Sequence, residues 1–372
     1  MKICVIGGGN IGTAVAADLA GKNQVAVLTG HPEKWQKGLS SYDTEKKITV
    51  HTVLEKVTGN AEEALANAEV VFLTVPSFLT ETEIQRCLPY LDAGTIFCIM
   101  PGTGGVEFFC REMLEKGVIL AGFDRVTHIS RLTVYGSSVN VAKKKGVRIA
   151  AVPCRETKRI ARLMSGLFEM DCEPLDNYLT VTLTPSNPIL HTSRLYDLFG
   201  NYQRGMTWDR NLYFYAEWTD SASELLLGCD EELQSVCRAF ETAAHMNLQG
   251  VKPLKQHYEV RTATEMTHKM QSIHSLKNIL SPMVRQNGFY VPDFNSRYFL
   301  EDFPYGLCIL KGFAELAGVP AGHMDKILQW YCGVSGKAYY DDDRFVGKDL
   351  AEAAIPQNYG ITSFEALEEF YG

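Results

Sequence analysis

The sequence predicts an α/β fold in which a doubly wound sheet is followed by a mostly α-helical C-terminal domain. The chain opens with a strand, residues 2–6, that runs into a glycine loop and then into an Ala-rich helix. Short apolar segments alternate with helical segments up to about residue 170, as expected for a parallel sheet with crossover helices. Beyond about residue 185 the apolar periodicity is that of helices.

The N-terminal glycine loop has the spacing of a dinucleotide-binding turn. Gly7 suits a tight turn, Gly9 lets a ligand approach the backbone, and Gly12 lets the next helix pack closely on its strand. A glycine turn with a purely conformational role is the alternative. The position between a strand and a helix, with a second strand at 25–28, favours a Rossmann-type dinucleotide site. The loop residues expected to bind the cofactor are Gly7, Gly9, Asn10, Ile11 and Gly12.

Further apolar segments that end at proline or glycine extend the predicted sheet. Segment 70–75 ends at Pro76, and such strands are typical of a buried parallel sheet that binds ligands beyond its C-terminal edge. Val75 and Pro76 therefore join the predicted cofactor site. The other strands assigned to this sheet are 48–53, 95–100, 119–123, 138–142 and 147–152, and the helices are 61–68, 81–91 and 156–168.

A change of character at residues 172–188 marks the predicted domain boundary. Three prolines and a polar stretch interrupt the alternation there. We therefore predict a dinucleotide-binding domain over residues 1–175 and a helical substrate and catalytic domain over residues 185–372. The helices predicted in the second domain are 221–245, 264–280, 305–317 and 322–332.

Composition narrows the class of protein. A chain of 372 residues exceeds the ~250–300 at which single cores stop growing, which favours two domains. The formal net charge of −8 argues against a nucleic-acid partner, and no apolar run reaches the ~18 residues of a membrane span. The ten cysteines lack metal-ligand spacing, so we expect no metal site and a reducing, cytoplasmic location.

The end of the second strand bears on the choice between NAD and NADP. An acidic residue at this point would accept a hydrogen bond from the ribose 2′-hydroxyl, but the chain has Thr29 and Gly30 instead. These residues tolerate a 2′-phosphate, and His31 or Lys34 can pair with it. Glu33 could instead fold back onto a 2′-hydroxyl. The sequence therefore slightly favours NADP over NAD, with Thr29 and His31 in the cofactor site.

Separated blocks of the sequence resemble the octopine/nopaline (opine) dehydrogenase family. They extend over nearly the whole chain, and the Arg-x-x-x-Glu-Asp motif at 297–302 is the most specific of them. The resemblance implies an NAD(P)H-dependent oxidoreductase that joins an amino acid amine to a 2-oxo acid such as pyruvate. The resemblance is compatible with a homodimer but does not require one. The blocks are 7–10, 73–78, 100–102, 107–111, 187–191, 295–306, 347–350 and 356–360.

This chemistry needs an acid/base and a cation for a substrate carboxylate. An imidazole, which exchanges a proton near neutral pH, suits the first role, and Arg binds carboxylates bidentately. The resemblance assigns the acid/base to His191, its orienting carboxylate to Asp302 and the carboxylate-binding cation to Arg297. The structural alternatives are a core histidine, a helix N-cap and a domain-interface ion pair, respectively. Residues 213–218 are expected to contribute a wall for the amine donor.

Two other functions remain open from the sequence. A ketopantoate or glycerol-3-phosphate type reductase would share the N-terminal domain but use a catalytic lysine, and Lys255 and Lys277 lie in ordinary amphipathic surroundings. A non-catalytic nucleotide-sensing protein could keep the fold. The set of His191, Arg297 and Asp302 argues against it.

Overall fold

The computed structural model describes residues 1–184 and 187–371, which form two compact units. The first unit comprises Met1–Thr182 together with Tyr371, and the second comprises Leu183–Phe370. Pro185, the predicted start of the second domain, lies outside the described residues. Residues 176–182, which fall between the two predicted domains, belong to the first unit.

Most strands of the first unit form one mixed sheet. Its strand order is β12-β11-β8-β7-β6-β1-β2-β5, and neighbours are parallel except where β11 runs antiparallel to β8. The fold class predicted from the sequence is confirmed. The strands of this unit within the described residues are β1 (Lys2–Ile6), β2 (Gln24–Leu28), β3 (Gly38–Asp43), β4 (Ile48–Val53), β5 (Lys56–Thr58), β6 (Val70–Leu73), β7 (Ile96–Ile99), β8 (Ile119–Phe123), β9 (His128–Val134), β10 (Ser138–Lys143), β11 (Gly146–Val152) and β12 (Asp171–Pro174).

The strand order creates a switch point between β1 and β6. The chain leaves β1 towards β2 and β5 and then returns to β6 on the other side of β1. Ile6 is level with Leu28 on one neighbour and with Leu73 on the other, so the three strands end at one edge. Ligands of open α/β sheets bind beyond such an edge, at the switch point. The glycine loop begins there.

Two of the predicted sheet strands belong elsewhere, and this part of the prediction was wrong. Segments 48–53 and 138–142 lie in a separate four-stranded sheet of order β4-β3-β10-β9. In β4, apolar and polar residues alternate and almost all are exposed, which is typical of an antiparallel edge strand. Central strands such as β6 are apolar and buried throughout. The alternation of apolar and polar residues should therefore have assigned such strands to a different sheet from the fully buried strands.

The helices of the first unit flank these sheets. Helix α1 packs its Ala14 against Val139 and Val141 of the small sheet. The predicted helix 81–91 begins earlier, at Ser77, and 61–68 ends earlier, at Leu65. The helices are α1 (Asn10–Leu19), α2 (Ala61–Leu65), α3 (Ser77–Cys87), α4 (Arg111–Glu115), α5 (Thr157–Phe168) and α6 (Leu179–Thr182).

The second unit is mostly helical, as predicted. Its longest helix, α8, is capped by Thr219, whose side chain accepts a hydrogen bond from the Ala222 backbone N–H. Its apolar residues, such as Leu226 and Phe240, are fully buried. The helices are α7 (Asn187–Phe199), α8 (Asp220–Ala243), α9 (Leu254–Tyr258), α10 (Ala263–Ser272), α11 (Arg297–Glu301), α12 (Cys308–Ala317), α13 (Gly322–Ser335) and α14 (Phe364–Tyr371).

A β-hairpin in this unit was not predicted. Strands β13 (Met283–Gln286) and β14 (Phe289–Pro292) pair through a two-residue turn, and the predicted helix 264–280 ends at Ser272. Asn287 and Gly288 both have positive φ, at 50° and 91°. Asn-Gly between two short strands is a strong hairpin signal, and it lies beyond the end of the predicted helix. Among the described residues, none of the helices combines the length and apolar character that a membrane crossing requires.

Glu107 is a fully buried acid in the first unit, in the short 3-10 helix Val106–Cys110. Its Oε1 accepts hydrogen bonds from the hydroxyls of Thr182 and Tyr371. Its Oε2 has no hydrogen-bond partner within the described part of the chain. Burial raises the pKa of Glu107 from 4.5 to about 7, although the two hydroxyls oppose the shift. Thr182 and Tyr371, which donate these hydrogen bonds, both belong to the first unit, as Glu107 does.

The buried carboxyl predicts a pH-dependent stability. Glu107 keeps its proton up to about pH 7 when folded but only to about 4.5 when unfolded, so its favourable contribution is present at low pH and declines as pH rises between these values. In the Glu107→Gln variant, the amide that replaces the carboxyl cannot ionise. The melting temperature of this variant relative to wild type should therefore be higher at pH 8 than at pH 5, by at least about 2 °C.

The exposed Glu115→Gln is the matched control for differential scanning fluorimetry at the two pH values. Its melting temperature relative to wild type should not depend on pH. A pH-independent difference for Glu107→Gln would show that Glu107 ionises normally.

Candidate functional site

The glycine loop has a backbone that only glycine permits at two positions. Gly7 has φ of +111°, and its N–H donates to the Leu28 carbonyl at 3.0 Å. A Cβ on Gly12 would lie 2.0 Å from the Gly7 carbonyl oxygen. Gly9 differs from both, because a Cβ there would meet no atom within 4 Å. The close packing is thus at Gly7 and Gly12, while Gly9 borders open space.

The start of α1 fits an anionic group of a dinucleotide. No side chain caps this helix at Gly9, so its first backbone N–H groups are available to an anion. The Asn10 side chain accepts a hydrogen bond from the Leu132 N–H at 2.8 Å, which anchors the helix to β9. Ile11 packs partly buried against the main core. The side chains of Asn10 and Ile11 therefore hold the loop in place, and its backbone faces the ligand.

The residues after β2 and β6 complete this edge. Thr29 is 4% exposed, and its hydroxyl lies 3.3 Å from that of Tyr135, a contact that sequence reasoning missed. His31 is exposed, with its Nδ1 3.4 Å from the Glu33 carboxylate. Val75 lies beside Gly7, and Pro76 immediately precedes α3. Of these four predicted cofactor residues, His31 is the exposed one.

His191 lies at the centre of a hydrogen-bonded chain in the second unit. Its Nδ1 is 2.8 Å from Asp302 Oδ2, and its Nε2 is 3.1 Å from the Tyr215 hydroxyl. The side chains of His191 and Asp302 each remain 12% exposed. Because an ionised carboxylate only accepts hydrogen bonds, the Nδ1–H of His191 donates to Asp302. Asp302 makes no side-chain cap to the turn that follows it.

Aromatic rings surround the imidazole. The rings of Phe214 and Tyr298 lie edge-on to His191, with centroids at 5.5 and 4.8 Å. Tyr215 stacks on Trp218 at 6.1 Å, and burial raises the pKa of its phenol far above 10, so the phenol stays neutral. The predicted aromatic wall thus contains a polar contact to the histidine. Nothing in the local sequence links Tyr215 to a residue 24 positions earlier.

Arg194 fixes the segment that carries Tyr215. It lies one turn after His191 on α7, is 2% exposed, and has an ion pair with Asp197. Its guanidinium donates hydrogen bonds to the backbone carbonyls of Tyr213, Phe214 and Glu217. The buried cation therefore holds the chain on both sides of Tyr215 against the helix that carries His191.

Arg297 lies apart from the hydrogen-bonded residues His191, Asp302 and Tyr215. Residues 297–301 form α11, so Arg297 and Asp302 project about 140° apart around the helix axis, from ~100° per residue. The Arg297 side chain is 66% exposed and pairs with Glu301 on the same helix. The structure thus joins His191 to Asp302 and leaves Arg297 at the surface of the unit.

Family models match the two parts of the chain differently. Residues 174–335 match the α-helical domain of the NAD/NADP octopine/nopaline dehydrogenases. Residues 3–147 match the ketopantoate reductase family PanE/ApbA. The first match contains His191, Asp302 and Arg297, and the second contains the glycine loop.

Individual relatives match over nearly the full length. Octopine dehydrogenase from Mizuhopecten yessoensis is 29% identical over 394 aligned residues, which cover 99% of this chain and 98% of the relative. A solved structure of octopine dehydrogenase with NADH and L-arginine has a TM-score of 0.87 at 26% identity, covering 99% of this chain and 97% of the other. The structure of octopine dehydrogenase with NADH and pyruvate gives 0.86 at 26% identity, with the same coverage of 99% and 97%.

The glycine geometry predicts opposite effects for two substitutions. Gly9→Ala should leave the melting temperature unchanged, because its Cβ meets no protein atom, but should weaken dinucleotide binding at least about tenfold, or 1.4 kcal/mol, because it fills the approach to the backbone. Gly12→Ala should lower the melting temperature, because its Cβ would collide with the Gly7 carbonyl.

Calorimetric titration with NADH and NADPH and a thermal melt of each variant measure these effects. Gly38→Ala is the control, because a Cβ at Gly38 also meets no atom within 4 Å but lies in β3, outside the predicted cofactor site. Unchanged affinity in Gly9→Ala would place the pyrophosphate elsewhere.

Proposed function

The chain belongs to the octopine/nopaline dehydrogenase family, and on this premise we propose that it joins the amine of an amino acid to a 2-oxo acid, such as pyruvate, by NAD(P)H-dependent reductive condensation. The observation that carries the proposal is the ordered pair of His191 and Asp302, 2.8 Å apart and partly exposed in the helical unit. The reaction must move protons at the amine and at the departing oxygen. An oriented imidazole serves both.

The first unit provides the coenzyme site. The backbone of the glycine loop, from Gly7 to Gly12, is proposed to hold the pyrophosphate, with Val75 and Pro76 at the neighbouring strand end. The bound nicotinamide supplies the hydride that completes the reduction. The proposed division of labour gives dinucleotide binding to residues 1–175 and acid/base chemistry to residues 185–372.

NADPH is the proposed preferred coenzyme. No carboxylate follows β2 directly, where Thr29 and Gly30 lie. Glu33, the residue that would favour NADH, lies 3.4 Å from the His31 ring in an exposed pair. A 2′-phosphate can replace this carboxylate as the partner of His31.

Acid/base catalysis is assigned to His191 at Nε2. Asp302 accepts the hydrogen bond from Nδ1, which fixes the ring orientation and stabilises the imidazolium when His191 gains a proton. The surrounding rings restrict water around it. Arg297 is proposed to bind a substrate carboxylate, which must displace Glu301 from its guanidinium.

The alternative functions find less support. The ketopantoate reductase match covers residues 3–147 only. Lys255, which a lysine-dependent mechanism could use, pairs with Glu231 on an exposed surface. A nucleotide sensor would not need an oriented His191–Asp302 pair. A cytoplasmic location is proposed from the cysteines, most of them buried and none in a disulfide among the described residues.

The proposed reaction requires two organic substrates. Purified protein should oxidise NAD(P)H only when a 2-oxo acid and an amino acid are both present, since the amine must add to the oxo acid before hydride transfer. The measurement is absorbance at the nicotinamide band over a matrix of pyruvate with the common amino acids. NADPH should give the higher kcat/KM. Full-rate turnover with pyruvate alone would identify a 2-hydroxy acid dehydrogenase instead.

The proposed dyad of His191 and Asp302 can be tested by substitution. His191→Asn should lower kcat by roughly 10²–10⁴ without changing NADPH affinity, because it removes the proton donor and not the glycine loop. Asp302→Asn should also lower kcat, and the double variant should lose much less than the two losses combined, because the residues act as a unit.

Steady-state kinetics, calorimetry and a thermal melt of the three variants test this. Arg297→Ala is the contrasting variant, and it should mainly raise KM for one carboxylate substrate. Fully active single variants, or activity losses that follow the melting temperature, would make the dyad a structural feature.

A further inference from the structure

Both ring nitrogens of His191 already have partners. Asp302 accepts from Nδ1, and the Tyr215 hydroxyl occupies Nε2 at 3.1 Å. In the neutral imidazole, Nε2 accepts the phenolic proton; in the imidazolium, Nε2–H donates to the phenolic oxygen. A substrate oxygen can therefore receive the proton from His191 only if Tyr215 moves away or passes it on.

The packing of Tyr215 opposes its moving away. The residue is 6% exposed, its ring stacks on Trp218 with a 15° interplanar angle, and it meets Phe214 with centroids 5.1 Å apart. Arg194 binds the backbone before and after it, at Phe214 and Glu217. Displacing the phenol would break the stacking and strain a segment that a buried cation holds.

We propose that Tyr215 is a catalytic residue that relays the proton between His191 and the reacting atoms of the substrates. This inference rests on the proposed function and deepens it, because the hydroxyl, and not the imidazole, then contacts the substrate. The observation behind the proposal is that the Tyr215 hydroxyl already occupies His191 Nε2 and that packing holds Tyr215 in place.

The relay balances in both directions. When the amine attacks the oxo-acid carbon, the C–N bond forms and the C=O π pair moves to oxygen; the phenolic proton passes to that oxygen while the Nε2 proton of the imidazolium passes to the phenolic oxygen. The ammonium proton then returns by the same route, to the Tyr215 oxygen while the phenolic proton passes to His191 Nε2. When the hydroxyl leaves, the phenolic proton passes to it, the Nε2 proton passes to the phenolic oxygen, the nitrogen lone pair forms C=N, and the C–O bond breaks with its electron pair retained by water. Tyr215 ends as it began, and solvent returns to His191 the one proton that the condensation consumes.

The two transfers in each step are concerted. Burial raises the pKa of the Tyr215 phenol well above its usual range, so a free phenolate does not form on the way. The phenol only exchanges one proton for another. His191 supplies the charge that Asp302 stabilises.

Tyr215→Phe tests the relay because it removes the hydroxyl and keeps the ring that stacks on Trp218. We expect kcat to fall about 10²-fold with KM for both substrates little changed. In H₂O/D₂O mixtures, the wild-type rate should depend on deuterium fraction with the curvature of two transferred protons. Tyr196→Phe is the matched control on the same helix as His191; its ring contacts Trp330 and Lys326, and its kinetics should equal those of wild type.

A second variant keeps the test independent of folding. Placing 3-fluorotyrosine at position 215 retains the ring and the hydroxyl but makes the phenol more acidic, so a relay predicts a changed kcat at an unchanged melting temperature. Wild-type protein that turns over no substrate pair would overturn the proposed function and the relay with it. An active wild type matched in kcat by Tyr215→Phe, or unaffected by the fluorine, would overturn the relay alone.

Discussion

The close approach of α1 to β1 is the constraint on which the first unit depends. The Gly7 carbonyl oxygen lies where the side chain of any residue other than glycine at position 12 would begin. The approach sets the helix over the central strand, and Ala14 then packs on the small sheet. Thr74 ties β6 to the same point, because its hydroxyl donates to the Ile6 carbonyl at 2.9 Å. The helix start, the strand edge and the second sheet are thus held by neighbouring contacts around the glycine loop and α1.

The second unit has a comparable constraint in the buried Arg194. Its desolvation lowers its pKa, and Asp197 offsets the cost of burying the charge. The guanidinium donates to backbone carbonyls that no strand or helix satisfies. Positions 191 and 194 lie one turn apart on α7, so this cation and the proposed catalytic histidine are close neighbours on the helix. Arg194 therefore holds the segment that contains Tyr215, the hydrogen-bond partner of His191, against α7.

The predictable parts of the chain are those encoded over short distances. Continuous apolar runs identified β1, β6 and β7, and the glycine spacing identified the loop and α1. Strand β4 was assigned to the wrong sheet although its alternating pattern was visible. The hairpin was overlooked although its turn residues, Asn287 and Gly288, lie beyond the end of the predicted helix 264–280.

Contacts between residues far apart in the chain could not be predicted from the sequence. The bond between Glu107 and Tyr371 joins residues 264 positions apart, and neither side chain has a local pattern that marks it. His191 and Asp302 were linked through the family resemblance, whereas Tyr215 was placed only in a wall of the site. A short helix separates Arg297 from Asp302 in direction, which spacing alone could not decide without knowing that 297–301 is helical.

The two family matches divide the chain into halves of different similarity. The glycine-loop half is similar to ketopantoate reductases over residues 3–147, so its chemistry, which is to hold a dinucleotide, is common to reductases of several kinds. The helical half, matched over residues 174–335, carries the imidazole, its carboxylate, the phenol and the guanidinium. Proton transfer at an amine and a departing oxygen distinguishes condensation from simple carbonyl reduction. Substitutions around His191 should therefore act on the rate of proton transfer, whereas substitutions around Gly9 should act on how well the coenzyme binds.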